Sequence, residues 1–233
     1  MRGLVRILRV GAFLLAATLV AVALVAAEPA FAGSIEGSLT FTPADLAIHD
    51  SSKPNAYVGQ LSGSAKVAAA AAAVDTVYAV AWVSDLTAEA GPVPGPARMD
   101  QLGQRFVPRV LAIVSGQEVE FHNSDNVFHN IFSYSPPKKF DLGRYPKGKS
   151  RGVTFVKSGA VQVYCDIHSD MRADIIVAPT RHFALIGPSG RFRINGVPPG
   201  THTVKIWSAA SGVRSAVIEV PEKGSAALPT LMP

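Results

Sequence analysis

The chain has 233 residues and a formal net charge of +5, and hydrophobic residues make up 48% of it. This length is enough for one large or two small domains. The lysines and arginines are not interleaved with aromatic residues along one element, so we predict no nucleic-acid partner.

The first 32 residues have the three parts of an export signal. Three arginines form a basic head, residues 10–27 are largely apolar, and Ala30 and Ala32 supply the small residues that signal peptidase reads. We therefore predict cleavage after Ala32, a periplasmic mature protein, and no stable membrane span after cleavage. The alternative is an uncleaved anchor, because the apolar stretch approaches the length that spans a bilayer.

Beyond the leader, short runs rich in Val, Ile, Phe and Thr are separated by clusters of Gly, Pro, Asn, Asp and Ser, which predicts β-strands joined by turns. Val119 and Phe121 alternate with Glu118 and Glu120, as in a sheet with one buried and one solvated face. Many short strands of this kind indicate an all-β sandwich or barrel. The predicted strands are 34–41, 76–83, 106–114, 118–122, 127–133, 152–157, 160–165, 173–177, 183–186, 191–194, 201–207 and 215–220.

Two segments interrupt the strand pattern. Residues 65–73 are nearly all alanine, which predicts a variable linker or a short helix, and residues 88–97 contain three prolines and form an irregular connection. A boundary near Pro179 precedes a tail punctuated by glycine and proline. We therefore divide the chain into a leader (1–32), N-terminal strands with a linker (33–97), a central domain (98–178) and a C-terminal β module (179–233).

Cys165 is the only cysteine of the chain. It cannot form an internal disulfide, so it is a buried inert thiol, half of an intermolecular bridge, or a metal-bound thiolate. An exposed free thiol would be oxidised outside the cytoplasm. Cysteine and histidine also form nucleophile–base pairs, but nothing in the sequence resembles an oxyanion hole or a third orienting group. We therefore expect no enzyme.

Potential metal ligands surround Cys165 in the sequence. His168 and Met171 follow it in a C-x2-H-x2-M pattern, and His129 lies upstream. A tight loop between two strands can turn three side chains toward one point, and His129 must then come from elsewhere in the fold. Two imidazoles, a thiolate and a thioether are the ligands of blue-copper electron-transfer sites. Zinc also accepts Cys and His but rarely binds thioether sulfur, so Met171 favours copper.

The C-x2-H-x2-M loop with the upstream His129-Asn130 pair resembles the cupredoxins, and its length is more similar to amicyanin than to plastocyanin. Residues 103–111 and 115–123 resemble that family's approach to the first histidine. The resemblance covers about residues 98–178 and implies a Greek-key cupredoxin β-sandwich. It implies that Asn130 hydrogen-bonds across to the loop and steadies the thiolate. It also implies one type 1 copper ion with four ligands: His129, Cys165, His168 and Met171.

The loop departs from this resemblance at Ser169, where the subgroup would have proline; the change removes rigidity but no ligand. Residues 190–200 resemble carboxypeptidase regulatory-like β modules, and residues 33–39 resemble the start of such modules. The combination resembles exported proteins of the methylamine utilization type and implies a small regulatory-like β-sandwich. Either the tail forms this sandwich alone, or strands 34–41 and 76–83 complete it and the cupredoxin region is an insertion. The opening residues favour the insertion.

We expect an exported type 1 copper protein that carries single electrons between protein redox partners. A second hypothesis is a copper-binding or copper-delivery protein, and a third is a structural envelope protein whose metal staples the fold. The single methionine of the loop favours electron transfer, because trafficking sites are commonly rich in methionine.

Partners would dock at the edge of His168 or at a basic region, which is otherwise a solvated loop. Its cations are Lys138, Lys139, Arg144, Lys147, Lys149, Arg151 and Lys157. We assign no ligand role to His49, His122, His182 or His202.

Overall fold

The computed structural model describes residues 32–41, 43, 77–87 and 93–229 and places sixteen β-strands there. The predicted leader up to residue 31, His49 and the alanine-rich segment 65–73 lie outside the described residues. In the described part of the chain, no helix has the length and apolar character needed to cross a membrane. The strands are β1 (Gly33–Ser38), β2 (Ala79–Val83), β3 (Ala97–Gln101), β4 (Phe106–Val107), β5 (Val110–Val114), β6 (Gln117–Asn123), β7 (Phe132–Ser133), β8 (Phe140–Asp141), β9 (Ser150–Phe155), β10 (Gly159–Tyr164), β11 (Arg172–Ala178), β12 (Phe183–Ile186), β13 (Arg191–Val197), β14 (Gly200–Ser208), β15 (Gly212–Val220) and β16 (Ser225–Ala227).

These strands form four sheets. Sheet I has the order β4-β3-β6-β9, and sheet II has the order β5-β11-β10-β7-β8. Sheet III has the order β12-β2-β14-β15, and sheet IV has the order β13-β1-β16. The predicted all-β class is therefore confirmed.

Sheets I and II pack face to face as the first sandwich. Val119 and Phe121 of β6 are fully buried between the sheets, whereas Glu118 and Glu120 lie on the opposite face, as the alternation predicts. From sheet II, alternate residues of β10 and β11 meet them in the same core cluster. The connection from β10 to β11 leaves this core at one end of the sandwich, and that connection contains Cys165.

Sheets III and IV form a second sandwich that is assembled from both ends of the described chain. β1 pairs antiparallel with β13 and parallel with β16, and β2 pairs antiparallel with both β12 and β14. The strands before the central region are therefore completed by strands after it, so the first sandwich is inserted into the second. The inserted part runs from β3, which begins at Ala97, to β11, which ends at Ala178.

The two sandwiches also pack against each other through β11 and β2. Both faces of these two strands are therefore buried. In β11, Ile175 and Val177 face the first core, while Ile176 and Ala178 join a separate cluster between sheets II and III. Trp82 of β2 and Trp207 of β14 meet them there. The four sheets thus stack in the order I, II, III, IV. β2 and the last four residues of β11 are apolar, as expected for strands buried on both sides, and Asp174 of β11 is a buried exception.

Two of the predicted strands were wrong, and β3, β8 and β16 were not predicted. The predicted strand 127–133 is mostly loop; only β7 and a single bridge between His129 and Tyr145 are formed. The predicted strand 106–114 is split into β4 and β5 at Pro108, which lacks the N–H that a ladder needs. β3, which begins at Ala97 inside the predicted irregular connection, was missed because the prolines before it obscure its pattern.

Candidate metal centre

The loop between β10 and β11 carries three of the four predicted ligands. Its base is closed by two backbone hydrogen bonds: Cys165 N donates to Met171 O at 3.2 Å, and Met171 N donates to His168 O at 3.0 Å. Below the loop, Tyr164 and Arg172 are the last paired residues of the antiparallel ladder. The loop is therefore pinned to rigid strands at both ends, and the positions of its side chains are set by sheet II.

His129 comes from the long connection between β6 and β7. Its backbone is tied to Tyr145 in both directions, by N–O distances of 3.2 and 2.9 Å. The buried side chain of Asn123 donates to the carbonyls of Val127 and Tyr145, at 2.9 and 3.0 Å. These bonds replace the missing strand pairing, so the buried imidazole of His129 is fixed although its segment is not a strand.

Three predicted ligands converge at this end of the first sandwich. The Sγ atom of Cys165 lies 3.8 Å from Nδ1 of His129 and 3.7 Å from Nδ1 of His168. The ligand atoms of all three residues lie within 4.8 Å of one another. Sulfur and nitrogen donors on a tetrahedral metal, at bond lengths of ~2.3 and ~2.0 Å, are about 3.5 Å apart. The two sulfur–nitrogen separations are therefore close to those expected around one small thiophilic ion.

Met171, the fourth predicted ligand, is buried in the same core cluster as Cys165. Its backbone carbonyl accepts a hydrogen bond from the Cys165 amide. His129, Cys165 and Met171 are shielded from solvent, whereas His168 is only partly buried. The site is thus closed on the core side and reaches solvent through a single imidazole.

Hydrogen bonds favour the thiolate form of Cys165. Burial raises the pKa of the Cys165 thiol, but the hydrogen bond with His129 acts in the opposite direction. Backbone N–H groups of Asn130 and Ile167, and then the ring of His168, lower the pKa of Cys165 further, to about 6. The predicted link from Asn130 to the sulfur is therefore made by its backbone; the buried Oδ1 of its side chain has no hydrogen-bond partner among the described residues.

The imidazole of His129 is correspondingly basic. Burial lowers the pKa of His129, but its hydrogen bond to Asp125 and its contact with Cys165 outweigh burial and raise the pKa to about 9. Without a metal, a thiolate and an imidazolium therefore face each other near neutral pH. The imidazolium would release a proton when a cation binds, whereas the thiolate is already deprotonated, so metal affinity would depend on the pH through His129.

Asp125 is the functional residue that the sequence analysis missed. Its Oδ2 atom accepts a hydrogen bond from Nε2 of His129 at 2.9 Å, on the ring edge opposite to Cys165. Backbone N–H groups of Gly103 and Gln104 donate to the same carboxylate. Burial raises the pKa of Asp125, but these hydrogen bonds keep it below its usual value, so the carboxylate is ionised. The four-residue spacing between Asp125 and His129 was the available signal.

Exposed apolar side chains flank the ligands. Val127 and Phe128 precede His129, and Ile167 precedes His168; all three are exposed. Isolated exposed hydrophobic residues are ordinary, but three of them beside the two histidine ligands form an apolar rim. We refer to Val127, Phe128 and Ile167 as the rim.

The predicted basic region is divided between the two ends of the sandwich: Lys138 and Lys157 lie near Gly159, where β10 begins, and other cations lie near the ligand loop, which follows the end of β10. Arg144 forms an ion pair with Asp166 of the ligand loop at 3.1 Å, and Arg151 lies 5.1 Å from the centre of the Tyr145 ring. Lys147 and Lys149 are exposed and flank a backbone segment that is hydrogen-bonded to Asn123. Arg144 and Arg151 thus contact residues next to the proposed ligands. Lys147 and Lys149 face solvent near the segment that carries His129.

The other three histidines within the described residues do not join the site. His122 lies on the outer face of β6 and its Nδ1 atom is 2.9 Å from the Ser150 hydroxyl. His202 is buried in the second sandwich, with Asp85 at 2.9 Å from one ring nitrogen and the Pro198 carbonyl at 2.8 Å from the other. His182 contacts a backbone carbonyl.

Comparisons with known proteins give structural neighbours. No protein-family model matches the chain, and no curated protein matches it. The copper-containing nitrite reductase (NirK) of Thermus scotoductus SA-01 is similar to 41% of this chain, with 28% identity and a TM-score of 0.35; the match spans 25% of the reductase. A purple cupredoxin of Nitrosopumilus maritimus is similar to 35% of this chain and matches over 98% of its own length, with 24% identity and a TM-score of 0.32. A reduced amicyanin variant is similar to 42% of this chain and matches over 97% of its own length, with 20% identity and a TM-score of 0.34. Each of these likenesses covers less than half of the chain.

Proposed function

We propose that this chain is an exported, periplasmic type 1 copper protein that carries single electrons between protein partners and is not an enzyme. The observation that carries the proposal is the convergence of His129, Cys165 and His168 within 4.8 Å, with the buried Met171 in the same core cluster. Bound copper would supply a one-electron couple between Cu(II) and Cu(I), for which thiolate and thioether sulfur suit the reduced ion and imidazole suits both.

The chain's own residues supply rigidity. Cys165, His168 and Met171 sit on a loop closed by backbone hydrogen bonds, and His129 is held by Tyr145 and Asn123. Ligands held in this way move little when the charge of the site changes by one unit, and a small rearrangement lowers the barrier to electron transfer. Burial of the sulfur and of the His129 ring keeps water from the site.

His168 is the proposed exit for the electron, because it is the one partly exposed member of the convergent group. The rim of Val127, Phe128 and Ile167 would form a dry contact with a partner around it. Lys147 and Lys149 would steer an acidic partner toward this end. Charge reversal at both lysines should lower the rate of electron transfer with such a partner and weaken its dependence on salt; unchanged rates would remove this steering role.

Redox cycling distinguishes an electron carrier from a copper-delivery protein. The mature protein is loaded with one equivalent of Cu(II), then reduced and reoxidised repeatedly in the presence of a Cu(I) chelator. A carrier keeps its ion because the ligand positions do not depend on the oxidation state, so copper content and the oxidised absorption should be unchanged after each cycle. Transfer of the reduced ion to the chelator would instead support delivery.

Two buried methionines of the same core cluster provide a matched control for this experiment. Met171→Leu removes the proposed thioether ligand, whereas Met99→Leu makes the same change on β3, outside the ligand loop. Because thioether sulfur suits Cu(I), the Met171 variant should lose reduced copper to the chelator faster than wild type. The Met99 variant should behave like wild type, and equal losses from both variants would exclude Met171 as a ligand.

A further inference from the structure

Asp125 accepts three hydrogen bonds at the base of the proposed copper site. Its Oδ1 atom accepts from the backbone N–H of Gly103 at 2.6 Å, and its Oδ2 atom accepts from the N–H of Gln104 at 2.7 Å and from Nε2 of His129 at 2.9 Å. Its own N–H donates to Oδ1 of Asn123 at 2.9 Å. The carboxylate is therefore fixed on several sides, and its largely buried position makes the charge poorly screened.

The backbone that holds Asp125 is strained. Gly103 and Gln104 have φ values of 64° and 56°, so two consecutive residues are left-handed, and Gln104 is the non-glycine residue with positive φ in the described chain. A left-handed conformation is unfavourable for a residue that carries a side chain, and such strain persists where surrounding interactions outweigh it. Successive N–H groups in a left-handed turn form a concave anion site. The unfavourable backbone conformation of this turn is therefore maintained together with the hydrogen bonds to the Asp125 carboxylate.

The carboxylate determines which nitrogen of His129 carries a proton. An ionised carboxylate only accepts hydrogen bonds, so Nε2 of His129 must be the donor to Asp125. When the ring is neutral, this leaves the lone pair on Nδ1, the atom that lies 3.8 Å from Cys165 Sγ. A carboxylate on the far nitrogen of a metal-binding histidine also makes that ligand more electron-rich.

We propose that Asp125 is a positioning residue that presents Nδ1 of His129 to the metal and lowers the reduction potential of the site. This proposal rests on the proposed copper function. A buried negative charge favours the Cu(II) state over the Cu(I) state, because the interaction grows with the charge of the ion. The left-handed turn at Gly103 and Gln104 holds that charge in place through its two backbone N–H groups.

Three variants separate the charge of Asp125 from its hydrogen bond. Asp125→Asn removes the charge and keeps an acceptor, Asp125→Ala removes both, and Glu118→Gln removes the same unit of charge from the exposed face of β6. The midpoint potential of the copper-loaded protein is measured for each. We expect Asp125→Asn to shift the ratio of Cu(II) to Cu(I) affinity at least tenfold, a rise of ~59 mV for a one-electron couple. A rise no larger than that of Glu118→Gln would overturn the proposal.

The proton on Nε2 of His129 provides a second readout that needs no copper. In wild type and in Asp125→Asn, nitrogen–proton NMR should detect this proton in slow exchange with water, and in Asp125→Ala the protection should be lost. An unprotected Nε2 proton in the metal-free wild type would overturn the positioning role. If wild type instead shows this proton but gives no one-electron copper couple, the copper function fails while the hydrogen bond of Asp125 to His129 stands.

Discussion

Asp174 of β11 is a buried carboxylate on the face of sheet II opposite to the first core. Its Oδ1 atom has no hydrogen-bond partner among the described residues. Burial raises the pKa of Asp174, and although Arg109, then Gln162 and Arg172 act to lower it, the pKa remains at about 6. The charge of this side chain is therefore a source of instability that the nearby arginines reduce but do not remove.

The raised pKa of Asp174 fixes the sign of a pH effect. Between the ordinary pKa of 3.8 and about 6, the folded protein holds this proton more often than the unfolded chain does. Protonation of Asp174 therefore stabilises the folded state relative to its ionised form. This stabilisation is fully present below pH 3.8, falls as the pH rises through that window, and is lost above about pH 6. Asp174→Asn should therefore raise the free energy of unfolding by on the order of 2 kcal/mol at neutral pH, with little gain at roughly pH 4.

Denaturant unfolding of wild type and variant at both pH values measures this difference. Glu118→Gln is the matched control, because it neutralises an exposed carboxylate of the same sandwich. Its effect should be small and similar at both pH values. Equal effects of Asp174→Asn at low and neutral pH would show that the buried charge is not the cause.

At the residue scale, the sequence was sufficient for the proposed ligands and insufficient for what orients them. Cys165, His168 and Met171 lie within seven residues, so their side-chain chemistry and spacing are visible in one line of sequence. The role of Asp125 depends on a left-handed turn at Gly103 and Gln104, about twenty residues away along the chain. An aspartate four residues before a histidine is too common to indicate this contact.

At the scale of elements, β2 and β11 determine how the two sandwiches meet. Trp82 of β2 is buried between sheets II and III, in the cluster that includes Ile176 of β11. Replacing a buried tryptophan by alanine removes the transfer free energy of the ring and leaves a cavity. Trp82→Ala should therefore lower the free energy of unfolding by about 3–5 kcal/mol.

Val217 of β15 provides the comparison for Trp82, since it belongs to the same sheet but is exposed. Val217→Ala should change the free energy of unfolding by no more than about 0.5 kcal/mol. Both variants are measured by chemical denaturation. If Trp82→Ala were as mild as the surface variant, the cluster between sheets II and III would contribute little to stability.

Strand prediction succeeded where the alternation of side chains was regular and failed where hydrogen bonds of polar side chains replace strand pairing. The pattern of Val119 and Phe121 indicated the buried face of β6 correctly. The apolar run around Val127 and Phe128 was interpreted as a strand, but these residues lie exposed beside the site. Here Asn123 donates to the backbone of Val127, and Asp125 accepts from the ring of His129. Hydrophobic periodicity cannot predict hydrogen bonds of this kind.

At the scale of the whole molecule, the insertion of one sandwich into another was one of two arrangements that the sequence left open. Strand pairing across the inserted region joins residues far apart in the chain, such as Trp82 and Phe183, and local patterns do not specify such partners. The likeness of the second sandwich to regulatory-like modules stays a prediction, as do the leader and its cleavage. The loop between β10 and β11 nevertheless lies at the end of the inserted sandwich opposite to Ala97 and Ala178, where the chain enters and leaves it.

The most direct test of the central claim is the visible absorption and electron paramagnetic resonance spectrum of the mature protein during titration with Cu(II), beside Cys165→Ser. Wild type should develop an intense blue band and a narrow copper hyperfine splitting that saturate at one equivalent, because a thiolate binds the ion with two imidazoles. Cys165→Ser should lack both features. A colourless wild-type complex, or a spectrum that the substitution leaves unchanged, would contradict copper binding through Cys165.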